Sequence, residues 1–143
     1  MKRLLSVAIA LMSLATFTAN AQAPNTLKNM LSSPTHVSTD TVTDAGVKLQ
    51  SVAVPGYQEV VTIQTVITKI NGTVAGTVII QGSLDGVNYT TIGTDSYTAT
   101  NVATQSKTWS VNPSTFAYYR VSYTGTGTMS AKINSKLLHR NRN

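Results

Sequence analysis

Between Tyr57 and Ile70 the chain sets Val61, Ile63 and Ile67 on one side of an alternating register, with Gln58, Thr62, Gln64 and Thr68 divided among the other positions. A period of two is the pattern of a strand buried on one face. It returns in Phe116–Thr124, where Tyr119, Val121 and Tyr123 face one way and Tyr118, Arg120 and Ser122 the other, and again at Met129, Ala131, Ile133 and Leu137. Within Thr73–Ser83 the run Val78-Ile79-Ile80 predicts burial on both faces or a central place in a sheet. Thr35–Thr43, Val47–Val54, Asn88–Gly93 and Thr108–Val111 are the remaining strand candidates. No stretch after the N-terminal region sustains an apolar period of 3.6, and Thr, Val, Ser and Ile suit a pleated, half-buried surface.

Turn residues punctuate these runs. Pro55-Gly56 stops one strand, Asn71-Gly72 carries the left-handed preference of a tight two-residue hairpin, and Asp85-Gly86 makes the next turn. Asn112-Pro113-Ser114 and Gly125-Thr126-Gly127 turn the chain later, and the polar stretch Thr94–Lys107 reads as a long loop or weak edge strand. The prediction is an all-β protein, a single antiparallel β-sandwich of jelly-roll type with about eight strands. There is no internal repeat and no Gly/Ser linker.

The N-terminus follows different rules. Lys2 and Arg3 precede a mostly apolar run from Leu4 to Ala15, which is shorter than the about 20 residues a spanning helix needs. Small residues follow, and Ala19-Asn20-Ala21 is the best cleavage site, leaving Gln22 first. The expected organisation is a signal peptide over 1–21, an extended arm over 22–34 with room for a turn of helix at Leu27–Leu31, a sandwich domain over 35–138 and a basic tail over 139–143. Such a chain works outside the cytoplasm, in the periplasm, at the cell surface or beyond it. The absence of cysteine suits a bacterial source or a bacterial virus better than a eukaryotic secretory one.

Charge becomes more informative once the signal is set aside. The formal net charge falls from +6 for the whole chain to +4, and the remainder is lopsided, since every acid lies at or before Asp95 and six Lys or Arg lie after it. Lys132, Lys136, Arg140 and Arg142 are candidates for contact with an anion or a neighbouring subunit. A specific nucleic-acid reader would add an aromatic platform and an identifiable module to such charge.

Chemistry is scarce. Five carboxylates and two histidines, His36 and His139, are the whole acid–base inventory, and neither histidine lies in a recognisable motif. The chain has no G-x-S-x-G elbow, H-E-x-x-H, P-loop or dinucleotide fingerprint, so the expectation is a protein that is not an enzyme and holds no metal or cofactor. Asp40-Thr41-Val42-Thr43-Asp44 and Asp85-Gly86-Val87-Asn88 carry oxygen ligands of the calcium type. They fall short of the six to eight oxygens required, and Asp-Gly is first a turn. The better lead is aromatic: Tyr89, Tyr97 and Trp109 fall on or beside the polar segment, where a ring can stack on a sugar.

Two segments carry a resemblance. Val78-Ile79-Ile80-Gln81-Gly82-Ser83-Leu84-Asp85-Gly86-Val87-Asn88-Tyr89-Thr90-Thr91-Ile92 and Phe116-Ala117-Tyr118-Tyr119-Arg120-Val121-Ser122-Tyr123-Thr124-Gly125 resemble the discoidin or galactose-binding-like β-sandwich family, and also small β-sandwich proteins of phage particles. The resemblance covers about 60 residues of the C-terminal two-thirds of the chain. It implies that Asp85 and Gly86 form the turn, Tyr89 begins the following strand and Arg120 is a structural hydrogen-bonding group on the closing strand. It also implies non-catalytic recognition through loops at one end of the sandwich. Together these observations imply a secreted binding or adhesion module for surface glycan. The alternative is a structural subunit of a virion or surface assembly, whose arm and tail reach neighbouring copies.

Overall fold

The computed structural model describes residues 26–32, 38–54 and 58–141. The expected signal peptide, the start of the arm, His36, the Pro55-Gly56 turn and Arg142 lie outside the described residues. The described residues form eleven strands: β1 Thr26–Asn29, β2 Leu31–Ser32, β3 Thr39–Thr43, β4 Val47–Ala53, β5 Gln58–Gly72, β6 Gly76–Ser83, β7 Thr90–Thr91, β8 Tyr97–Ala99, β9 Thr104–Val111, β10 Tyr118–Gly125 and β11 Met129–Asn141. All the pairings are antiparallel.

The strands form two sheets. Sheet A runs β1-β11-β5-β9, with β3 pairing the same β11 further along; sheet B runs β2-β4-β10-β6-β7, with β8 also on β6. Leaving out β1 and β2, the order has a simple logic. β3 pairs the last strand, β4 the penultimate one, and apart from β7 and β8, which both join β6 in sheet B, successive strands alternate between sheets, which is the wrapping of a jelly roll. The two inner faces interdigitate. Val61, Ile63 and Ile67 of β5 and Ala131, Ile133 and Leu137 of β11 meet Val78 and Ile80 of β6 and Tyr119, Val121 and Tyr123 of β10, all fully or nearly fully buried. The buried phenols are satisfied: Tyr119 shares a hydrogen bond with Ser114, and Tyr123 donates to the Ala75 carbonyl at 3.1 Å.

Several local expectations change. Asn71-Gly72 is not a hairpin: β5 belongs to sheet A and β6 to sheet B, so the chain crosses the sandwich here. Gly72 does take a left-handed φ of 68°, but for a different reason, since a Cβ there would lie 2.3 Å from the Thr128 carbonyl oxygen. The polar stretch from Thr94 contains β8 and the start of β9, edge strands of opposite sheets that need few apolar residues because each has one free side.

Leu27–Leu31 takes no helical turn. Thr26–Asn29 pairs with Lys136–His139 and Leu31–Ser32 with Gln50–Ser51, so the described part of the arm is extended and docked. Between them Met30 is wholly buried, and its N–H donates to the Ser135 carbonyl at 2.9 Å. At the other terminus β11 continues through Asn141, and His139, assigned to the tail, is buried inside the sandwich.

Candidate functional site

Alternation on sheet B sends every second side chain outward, and the register aligns them into rows. Ser51 of β4, Arg120 of β10, Gln81 of β6 and Thr91 of β7 form one row, and Ala53, Tyr118 and Ser83 form the next. Arg120 Nε donates to Gln81 Oε1 at 2.9 Å, and its guanidinium carbon lies 3.8 Å from the centroid of the Tyr89 ring. That is a cation–π contact that holds both groups flat on the sheet. Burial pushes the Tyr89 hydroxyl above its ordinary value, while the Arg120 charge and a hydrogen bond with Ser51 pull against it.

The loop carrying Tyr89 is rigid because Asp85 is saturated. Its Oδ1 accepts the N–H groups of Val87 and Asn88, both at 2.8 Å, and the Ser83 hydroxyl at 2.8 Å; its Oδ2 accepts the Asn88 amide at 2.7 Å. These bonds, the Asn88 N–H foremost, hold the carboxyl well below the ordinary carboxylate range. A carboxylate so engaged is the centre of an Asx-type turn and leaves little lone-pair capacity for a cation. At its neighbour Gly86, φ is 76° and a Cβ would meet the Tyr118 ring at 3.1 Å. Glycine therefore permits both the turn and the approach of Tyr118.

The result is an open groove of about 350 Å³ at this end of sheet B. Tyr89, Tyr118 and Gly86 line one side; Ser51, Val52 and Ala53 of β4 form its base; Asn29, Leu31 and Ser32 of the N-terminal segment close the other side. Both tyrosines are half-buried. Flat rings beside neutral hydroxyl and amide groups can hold a flat polyhydroxylated molecule, with C–H faces on the rings and hydroxyls on the polar atoms.

The residues singled out from sequence do not form one cluster. Tyr89 is in the groove. Trp109 is a core residue, 4 % exposed, with its indole N–H donating to the Asp95 carbonyl at 2.9 Å, so its ring is not offered as a platform. Inward alternation on β9 opposite Ile63 puts it there. Tyr97 is half-buried against the core with its hydroxyl donating to Gln105 Oε1 at 2.9 Å, and with Trp109 it closes the open edge between β8 and β9.

Lys132, Lys136 and Arg140 align on the outer face of sheet A, on the opposite side of the sandwich from the groove, successive members about 13 Å apart at a strand rise near 3.3 Å. Sequence reasoning missed Tyr118 as a groove residue. The signal was present, because alternation put Tyr118 and Arg120 on the outer side together. What the pattern lacked was the loop that brings Tyr89 over them.

Among the described residues no group of three or more His, Cys, Asp or Glu side chains is placed to hold a metal ion. No helix among them is long and apolar enough to cross a membrane.

No family model and no curated protein matches the sequence. Solved structures with a similar fold include a carbohydrate-binding module described as "CBM4 structure and function", 12% identical over 80% of this chain and 77% of that one, with a TM-score of 0.47. A family 16 carbohydrate-binding module is 13% identical over 66% and 70%, TM-score 0.42. A pilus protein of Bacillus endospore appendages is 12% identical over 87% and 95%, TM-score 0.43. At such low identities and TM-scores the likeness carries no argument about ligand or assembly. The class defined by the structure itself is the antiparallel jelly-roll β-sandwich.

Proposed function

We propose that this chain is a non-catalytic recognition module that binds carbohydrate in the groove on the outer face of sheet B and works outside the cytoplasm. The observation that carries the reading is the pair Tyr89 and Tyr118 lining one open groove, the first fixed on Arg120 and the second on Gly86. Pre-set rings lose little freedom on binding, which favours a flat ligand that can stack on them. The four described aspartates support the non-catalytic part. Asp40 pairs with Lys48 and Asp95 with Lys107, Asp44 accepts the Met129 N–H, and Asp85 holds its own turn. The resemblance of the Asp85 turn and the Arg120 strand to the discoidin or galactose-binding-like family points the same way.

Titration calorimetry with a panel of soluble polysaccharides tests it. Binding should appear for at least one glycan, and Tyr89→Ala or Tyr118→Ala should each weaken it about tenfold, roughly 1.4 kcal/mol. Both variants binding as tightly as the parent, with unchanged circular dichroism, would remove the groove from consideration, as would the absence of any glycan response at millimolar concentration.

A further inference from the structure

The segment from Thr26 to Ser32 lies outside the jelly roll that the later strands form. β3 to β11 already complete the jelly roll, so β1 and β2 are additions, laid on the edges of β11 and β4. Their partners lie far along the chain: Leu27 opposes Leu138, and Leu31 opposes Ser51. Met30 is the one side chain of the segment that enters the apolar core.

Much of what lies beneath is polar. Gln50, Ser135, Thr65 and His139 are all buried on the inner faces of this side of the sandwich, and so is Ser32 of the segment itself. The Gln50 amide donates to the Ser38 carbonyl at 3.2 Å and reaches Ser32 Oγ and the Ile133 carbonyl at 3.4 Å. Ser135 and Thr65 share a hydrogen bond of 2.9 Å. A seam floored by polar side chains opens at lower cost than an apolar one, because water can solvate the groups it uncovers and replace the Gln50–Ser32 bond. Once it opens, the edges of β11 and β4 are bare, and a bare edge accepts another strand.

We propose that Thr26–Ser32 is an exchangeable strand and that the slot between the edges of β11 and β4 accepts the same segment from a second copy of this chain. The trans contacts would be the cis contacts, with the same register and the same Met30 anchor, so exchange changes which chain supplies the strand and not what the strand touches. Six residues separate Ser32 from Thr39 in the sequence, so the equilibrium depends on the effective concentration that this tether sets against the concentration of other copies. Exchange also bears on the groove. Asn29, Leu31 and Ser32 line it, so in an exchanged pair each groove would be built from two chains. The inference does not depend on the ligand being a carbohydrate.

The chain has no cysteine, which makes the test clean. Leu27 and Leu138 oppose one another on the outer face of sheet A and are 61% and 36% exposed. Leu27→Cys and Leu138→Cys proteins, purified separately, are mixed at rising concentration and treated with a short bis-maleimide. Thr41→Cys mixed with Lys132→Cys, an opposed pair inside the jelly roll, reports random collision. Exchange predicts a covalent heterodimer at least about fivefold above that control, rising with protein concentration toward the millimolar range expected for a short tether. The double variant Leu27→Cys/Leu138→Cys shows that the pair is within reach, giving linked monomer when dilute and linked dimer when concentrated. Heterodimer at the control level, with the double variant linking efficiently as monomer at every concentration, would overturn the proposal. A double variant that links in neither form would overturn it too, by removing the register on which it rests.

Discussion

On the outer face of sheet B, Tyr118 and Tyr89 line a groove, with Arg120 packed on the Tyr89 ring; on the outer face of sheet A, the same alternation sets Lys132, Lys136 and Arg140 among Thr62, Thr68, Thr108 and Ser110. Both faces are built by strands of one fold, and both show every second residue to solvent. They differ in what is added to the strands. Sheet B receives a turn held by Asp85 and a docked N-terminal segment, which raise two walls over its flat surface. Sheet A carries a depression of about 270 Å³ lined by Val60, Thr62, Leu138 and Arg140, with no aromatic ring among these residues. A sheet face becomes a site when loops supply walls that the strands cannot.

The largest effect expected lies beneath both faces. Trp109→Ala removes a buried indole and should cost about 3–5 kcal/mol of stability. Glycan affinity of the fraction that remains folded should match the parent. Denaturant unfolding and calorimetry on the same sample separate the two, and a large affinity loss in folded protein would return the indole to the binding surface.

Gly86→Ala comes next. A side chain at φ 76° is strained, and its methyl would press on Tyr118, so stability should fall by about 1–3 kcal/mol. Affinity should fall several-fold as the ring moves. If unfolding shifts while binding stays at the parent value, Tyr118 is not held by this contact.

Replacing Lys132 and Lys136 with Gln should sharpen the contrast by doing little. The two are exposed on the face away from the groove, so stability should stay within about 0.5 kcal/mol. Affinity for a neutral glycan should be unchanged, whereas adsorption to an anionic polymer should weaken and lose part of its salt dependence. A neutral glycan released by this change would move the site to sheet A.

The smallest effect is with pH. Asp85 has its folded carboxyl pushed below the ordinary value, so its contribution to the turn is fully present above the unfolded pKa near 3.9 and is lost only as pH falls through the lower folded value. Binding in the groove should therefore be flat from pH 7 to about 4 so far as Asp85 is concerned. Carbon-detected NMR titration of the Asp85 carboxyl checks this directly, and a midpoint in the ordinary range would mean that the turn is looser than its hydrogen bonds indicate.

Much of the fold was legible because strand patterning is local. Alternation alone groups Val61, Ile63 and Ile67, Tyr119, Val121 and Tyr123, and Met129, Ala131, Ile133 and Leu137 each on one face of its strand, and all are buried. Asp85-Gly86 was legible as a turn because its chemistry needs only neighbours in sequence. Asn71-Gly72 misled because a left-handed glycine serves a sheet-to-sheet crossing as well as a hairpin, and only the partner strand tells them apart. Trp109 misled because its flanking residues are polar, while burial depends on which side of β9 faces Ile63.

Sequence by itself determined the class of architecture, the inner and outer side of each long strand, and the poverty of acid–base groups. All of these follow from residue type and a spacing of two. The tertiary structure alone decided that Tyr89 meets Arg120 across 31 positions, that Met30 closes the seam against Ser135, and that the basic row lies away from the groove. Those facts depend on how strands distant in the chain pair. Pairing is set by the packing of the whole core, which no local pattern contains.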